Sequence, residues 1–311
     1  MVPTDSDMPG MKSILSLSIA SWLATLSLPA AAALMVFACE PEWGALVREL
    51  AGDKVSAYTA TSALQDPHRI EARPSLIARM RSADLAVCSG ADLEAGWLPL
   101  LLAQSGNARI QVGNPGYFEA SQYVTRLEIP KSVDRSQGDI HPGGNPHVHL
   151  DARNIAKVAA ALAERLILLD QANAQVYRSR SGAFQERWRA ATARWEQLAQ
   201  RLKGIAVVVY HKDMSYLIDW LGMREAGSLE PKPGIPPASS HLAELVERMR
   251  LEPAGAVVYS AYSSPKAAEF LAQRSRIPAV MLPYTVGGSD RAIDLYGLFD
   301  DTIARLLAAV K

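Results

Sequence analysis

Two hydrophobic rhythms alternate along this chain from residue 34 onward. Short continuous apolar runs, of the kind that form strands buried on both faces, are each followed by a stretch with a 3.6-residue period. "LMVFAC" reads as a strand and "EPEWGALVRELAG" as a helix stopped by Gly52; "KVSAYTA" is a second strand. After a polar, turn-rich segment over 61–73, "PSLIARMRSA" is an amphipathic helix with Pro74 in its first turn. "DLAVCSG" then reads as a strand, "DLEAGWLPLLLAQSG" as a helix and "RIQVGN" as a further strand. This order predicts a parallel α/β lobe over 34–150, its last part, 113–150, rich in loops.

From Ala152 to Lys203 the chain has almost no punctuation, and only Gly182 interrupts strong helix formers. Ile155, Val158, Leu162, Leu166 and Leu169 share one face, and Trp188 and Trp195 mark a buried stripe further on. The segment 151–203 therefore predicts a helical connector: either a single long helix over part of it, or two helices broken near Asp170-Gln171. Asp151 is placed to cap its start. Over 204–311 the first rhythm returns: "IAVVVYH", "AGAVVYSA" and "AVMLPY" as strands, "SYLIDWLG", "HLAELVERMR", "SPKAAEFLAQRS" and "LYGLFDDTIARLLAAV" as helices. Ser240 is the expected cap of the second of these helices. The fold class is α/β, two parallel-sheet lobes joined by a connecting helical segment, and ligands are expected where the strand C-terminal ends meet across a cleft.

The N-terminus has a different pattern. "MKSILSLSIASWLATLSLPAAAALMVFACE" sets one lysine before a run too short for a full membrane span and ends it on Ala31-Ala32-Ala33. Residues 1–33 thus read as a secretory signal peptide, with 1–10 an upstream extension and Leu34 the mature start; a membrane anchor is the alternative. Export to a bacterial periplasm is the expectation. In an oxidising compartment, Cys39 and Cys88 are a candidate disulfide, since both end strand-like runs; two small buried hydrophobes are the other reading. Charge adds an exclusion: Lys+Arg and Asp+Glu balance at 32 each, so nothing points to nucleic acid or an anionic membrane.

Candidate chemistry rests on the six histidines. His68, in "LQDPHRIEARPS", His147, in "GGNPHVHLD", and His211, after "IAVVVY", each fall at strand-to-helix junctions that one cleft could bring together. Imidazole nitrogen favours Zn²⁺ and other late first-row ions, and a closed site takes about four ligands. His149, two residues after His147, points away from it if the segment is extended. His141 lies in a Gly-Pro run as an accessory capture residue or a solvated loop residue, and His241 opens a helix.

Several motifs together carry a resemblance: "DPH" before "PS", "ADLAVCSGADLEAGWL", "GGNPHVHLDARN", "VVVYHKDMSYLIDWLGM" and "LEPKPGIPPASSHLAELV". In this order they resemble the zinc/manganese-type solute-binding proteins of ABC importers, the TroA-like cluster A-I family. The resemblance implies two α/β lobes joined by one long rigid helix, metal between the lobes, and His68, His147 and His211 as ligands. It also implies an ABC permease in the membrane as partner and a monomer that catalyses nothing. The family's fourth ligand, a carboxylate after the last strand, is missing here, where Pro283-Tyr284 stands. Asp290 is the candidate substitute, with water, Asp66 or His149 as competitors and a helix N-cap as its structural alternative. A three-histidine set with one open position leans towards Zn²⁺ over Mn²⁺. The same set would serve a zinc hydrolase, although no HExxH is present. A metallochaperone or adhesin on this fold is a third reading.

Overall fold

In the computed structural model, residues 33–132, 138 and 140–310 are described. The expected signal peptide lies outside them except for Ala33. Among the described residues no helix is long and apolar enough to cross a membrane.

The first sheet is built from β1 (Leu34–Ala38), β2 (Val55–Thr59), β3 (Leu85–Cys88) and β4 (Tyr117–Glu119), all parallel, in the order β2-β1-β3-β4. Helices α1 (Pro41–Ala51), α2 (Pro74–Ser82) and α3 (Leu98–Ser105) make its connections. The second sheet repeats the plan with β5 (Ala206–Val209), β6 (Arg224–Ser228), β7 (Ala256–Ser260) and β8 (Ala279–Leu282), ordered β6-β5-β7-β8. Between the sheets run α4 (Ala152–Leu169) and α5 (Ala174–Leu198); α6 (Ser215–Leu221), α7 (Ser239–Leu251), α8 (Pro265–Ser275) and α9 (Leu295–Ala309) complete the second lobe.

Strand residues alternate between cores, as a pleated strand requires. Val36 and Ala38 join the large core that continues through both lobes, whereas Phe37 and Cys39 face a separate core under α2 and α3. Val207 and Val209 share the large core, and Ala206 and Val208 the outer core of the second lobe. The helical connector breaks at Asp170, whose carboxylate accepts the Tyr177 hydroxyl at 2.6 Å. Asp151 caps α4 by accepting from the Arg153 amide. A 25-residue α5 spans about 37 Å, packing on α1 and α4 at one end and on α9 at the other. Its buried stripe of Tyr177, Phe184, Trp188 and Trp195 meets Phe299 of α9, with the Trp195 and Phe299 ring centroids 5.0 Å apart.

Three expectations change. "RIQVGN" is no strand: Ala108–Ile110 forms a 3-10 turn. The Asn107 side chain accepts from the Arg109 amide, and the Gln111 amide group donates to Leu102 and Asn107 carbonyls, so side chains capture the backbone that a ladder would need. The fourth strand comes later, at Tyr117, in register with Ala86. β6 arises from "REAGS", a sequence without an apolar run. Ser240 does not cap α7, which begins at Ser239 after Ala238 and has no side-chain cap.

The cysteines are joined. Cys39 follows β1 and Cys88 ends β3, neighbouring parallel strands paired Ala38 to Val87, and the disulfide closes with Cα atoms 4.8 Å apart.

Candidate metal centre

Four histidines converge between the facing C-terminal ends of the two sheets. His68 comes from the loop after β2, His141 and His147 from the loop before α4, and His211 from the residues just after β5. The His68 ring centroid lies 5.3, 5.2 and 5.4 Å from those of His141, His147 and His211, and His147 and His211 are 5.6 Å apart. Ligand-capable nitrogens of His68, His141 and His147 lie within 4.8 Å of one another. His211 stands outside that tightest set and joins through its ring contacts.

Local backbone chemistry aims each ring. His68 Nδ1 donates to Asp66 at 2.8 Å, the same carboxylate oxygen accepting the His68 amide, while Trp97 Nε1 donates to the Pro67 carbonyl. His211 Nδ1 donates to Glu230 at 2.7 Å, and that carboxylate is held in turn by the Gly234 amide. His147 Nδ1 is 2.8 Å from the Tyr284 hydroxyl. Asn145 accepts from the His147 amide and donates to the Lys212 carbonyl beside His211, so one side chain fixes two ligand loops. His141 sits on a turn closed by Gly144, whose φ of +94° is left-handed and suits only glycine without strain. With Nδ1 occupied, the opposite nitrogen is left to point inward. The Nε2 atoms of His68, His141 and His147 are buried and have no protein partner.

Electrostatics follow from this arrangement. Burial, then the neighbouring imidazoles, lower His141 to about 4 and hold His147 well below the usual histidine range. Burial also depresses His211, but its hydrogen bond to Glu230 and the charges of Asp213, Glu230 and Asp66 outweigh that, and the net shift is upward. Burial pushes the Asp66 carboxyl up, and its bonds to His68 more than reverse this. With burial holding His141 and His147 against protonation, their Nε2 lone pairs are ready to take a metal ion. Cavities of about 270 and 230 Å³ flank the cluster, and His211 lines both.

The remaining candidates fall elsewhere. Asp290 is exposed on the turn after β8 and does not join the cluster, and α9 is capped by Asp294 instead. His149 is fully buried but turned away: its Nε2 donates to the Tyr284 carbonyl, and its Nδ1 lies 3.2 Å from Glu42 Oε1, off the line of a hydrogen bond. The segment is not extended, since Val148–Leu150 forms a 3-10 turn, yet the two rings still part. Asp66 is bound to His68 rather than facing the Nε2 atoms. His241 hydrogen-bonds the Ser228 carbonyl. His141, offered by the sequence only as an accessory capture residue, sits inside the cluster, and Tyr284, which seats His147, was missed.

Comparison with known proteins is consistent with this geometry. The family described as ZnuA, zinc-uptake complex component A, periplasmic, matches residues 36–309. The manganese ABC transporter substrate-binding lipoprotein PsaA of Streptococcus pneumoniae is 28% identical over 145 residues, 46% of this chain and 44% of that protein. The iron ABC transporter substrate-binding lipoprotein MtsA of Streptococcus pyogenes serotype M1 is 24% identical over 142 residues, 45% and 43% of the two chains. The chain thus spans less than half the length of the curated relatives it matches. Among solved structures, a crystal structure of ZnuA superposes with a TM-score of 0.75 at 20% identity, covering 90% of this chain and 100% of the other. A cadmium-bound periplasmic metal-binding protein from Candidatus Liberibacter asiaticus gives 0.72 at 16% identity, covering 88% and 98%. These likenesses establish the two-lobed fold.

Proposed function

The chain belongs to the family of periplasmic zinc-uptake component A, and from that premise we propose that it is a metal receptor of an ABC importer. It captures a divalent cation, Zn²⁺ in preference to Mn²⁺, with the imidazoles of His68, His141, His147 and His211. Residues 34–150 and 204–311 form the two lobes, joined through 151–203, and the receptor works in the periplasm, handing its ion to a membrane permease. The observation that carries this reading is the set of three buried, unpartnered Nε2 atoms facing one another while their Nδ1 atoms are held from behind.

The metal preference follows from the donors. Four neutral nitrogens suit a tetrahedral late first-row ion, whereas Mn²⁺ favours carboxylate oxygen and higher coordination. The metals named for PsaA and MtsA belong to those proteins; in this chain the place after β8 holds Tyr284 rather than an acid. A hydrolase would need a free general base beside the ion. Of the carboxylates at the cluster, Asp66 and Glu230 are engaged on histidine Nδ1 atoms, and Asp213 accepts the Ser260 and Tyr262 hydroxyls through Oδ2.

Metal analysis of the purified protein, with chelator competition by Zn²⁺ and Mn²⁺, tests the reading. One Zn²⁺ per chain, lost on His68→Ala with His147→Ala, is the expected result. Tight stoichiometric Zn²⁺ binding by that double variant would defeat the assignment.

A further inference from the structure

A second buried polar cluster lies behind the metal centre, at the C-terminal ends of β1 and β3. Glu40 and Glu94 are 1% and 2% exposed. The Ser89 amide donates to both, at 2.7 Å to Glu94 Oε1 and 3.3 Å to Glu40 Oε2, so the two carboxyl groups share one N–H. The Ser89 hydroxyl donates to Glu40 Oε2, and the Gly90 amide donates to Glu94 Oε2 at 3.1 Å. Glu40 Oε1 is buried with no partner. The disulfide fixes this meeting, because Glu40 follows Cys39 and Ser89 follows Cys88.

Two adjacent carboxylates in a dry interior cannot both ionise. The charges acting on Glu40 come from Glu94 and from Glu42 of α1, both negative. From β4, Tyr117 and Glu119 face the same region, their side chains bonded to each other. Burial, and then these acidic neighbours, raise Glu40 far above the carboxylate range, and burial raises Glu94 to about 7. The partner missing from Glu40 Oε1 is then a proton held between the two acids.

What the pair holds is the turn over 89–97. Gly90, Ala91 and Asp92 are all left-handed, with φ of 74°, 49° and 65°, a run that two non-glycine residues adopt only under restraint. This turn touches two of the four histidines. The Asp92 backbone hydrogen-bonds the His141 ring. A Cβ on Gly96 would lie 3.0 Å from the His68 carbonyl, and Trp97 donates to the carbonyl of Pro67.

We propose that Glu40 and Glu94 form a carboxylic acid–carboxylate pair with one proton between them, and that this pair is the positioning element for His68 and His141. Glu40 carries the proton and donates to Glu94; Glu94, as the anion, accepts the Ser89 and Gly90 amides and pins the turn. The consequence for metal binding rests on the receptor reading above, whereas the existence of the pair does not.

The roles are unequal, which makes the pair testable by rescue. Glu40→Gln keeps a donor towards Glu94 and an acceptor for Ser89. Glu94→Gln replaces one accepting oxygen by an NH₂ group that faces donors. The experiment combines a ¹³C NMR titration of the glutamate carboxyls in the metal-free full chain with Zn²⁺ competition and Co²⁺ absorption of Glu40→Gln, Glu40→Ala and Glu94→Gln. One glutamate should stay protonated well above the ordinary carboxylate range, and its signal should vanish in Glu40→Gln. Zn²⁺ affinity should stay within about twofold in Glu40→Gln, and fall on the order of tenfold or more in Glu40→Ala and Glu94→Gln with a changed Co²⁺ spectrum. Carboxyls that all titrate in the ordinary range overturn the proposal, as do equal affinities for Glu40→Gln and Glu40→Ala. The Glu40 comparison stands even if Glu94→Gln does not fold. A wild type that binds no Zn²⁺ would sink the receptor reading, and the titration would still decide the pair.

Discussion

His147 Nδ1 and the Tyr284 hydroxyl are 2.8 Å apart, joining the loop before α4 to the end of β8 across the cleft. The tyrosine stands after the last strand, where the family resemblance implies a carboxylate, and its hydroxyl meets the side of the His147 ring opposite the buried Nε2. Partners of this kind typically contribute 10- to 100-fold in metal affinity. Tyr284→Phe keeps the ring packing and removes the hydroxyl, so Zn²⁺ affinity should fall by about tenfold with little change in thermal stability. Unchanged affinity in chelator competition would show that the hydroxyl does not orient the ring.

His141 and Asp290 separate two accounts of the fourth ligand. His141→Ala should weaken Zn²⁺ binding and change the Co²⁺ ligand-field bands from a four-coordinate to an open or water-completed pattern. Asp290→Ala, at an exposed position, should change neither. The reverse outcome would restore the carboxylate.

The metal-free protein should lose stability in mild acid. His141 and His147 titrate lower in the folded chain than the roughly 6.5 of an unfolded histidine. The unfolded state therefore binds more protons, and the stability present above about pH 6.5 is lost as pH falls towards 4. The melting temperature of metal-free wild type, relative to His141→Gln, should drop between pH 7 and pH 4.5; parallel profiles would contradict this.

The disulfide closes a sequence separation of 49 residues, worth up to about 4 kcal/mol by loop entropy. Replacing both cysteines by serine should lower the denaturant midpoint by the equivalent of about 2–4 kcal/mol. Zn²⁺ affinity should fall as well, because Glu40 and Ser89 lose their fixed separation. A stability loss with intact affinity would uncouple the two clusters.

How much of this was legible depends on what each residue's signal rests on. Leu34–Ala38, Leu85–Cys88 and Ala206–Val209 are strands buried on both faces, and a continuous apolar run announces such a strand. β4 and β6 pair on one side only, at the sheet margins, and their short sequences, "YFE" and "REAGS", carry no continuous apolar run. His68, His147 and His211 follow or flank recognisable elements and match a family pattern. His141 depends on a left-handed turn at Gly144, and Asp290 is only the nearest acid in sequence after β8. Tyr284 reads as a core aromatic until the fold places His147 against it. Glu40 and Glu94 have no linear signal at all, since only the pairing of β1 with β3 brings them together.

X-ray absorption at the zinc edge of the Zn²⁺-loaded wild type reports the donor set itself. The account predicts four nitrogen donors at about 2.0–2.1 Å with imidazole multiple scattering, falling to three imidazoles in His141→Ala. A wild-type shell with a carboxylate oxygen, or one that His141→Ala leaves unchanged, would contradict it.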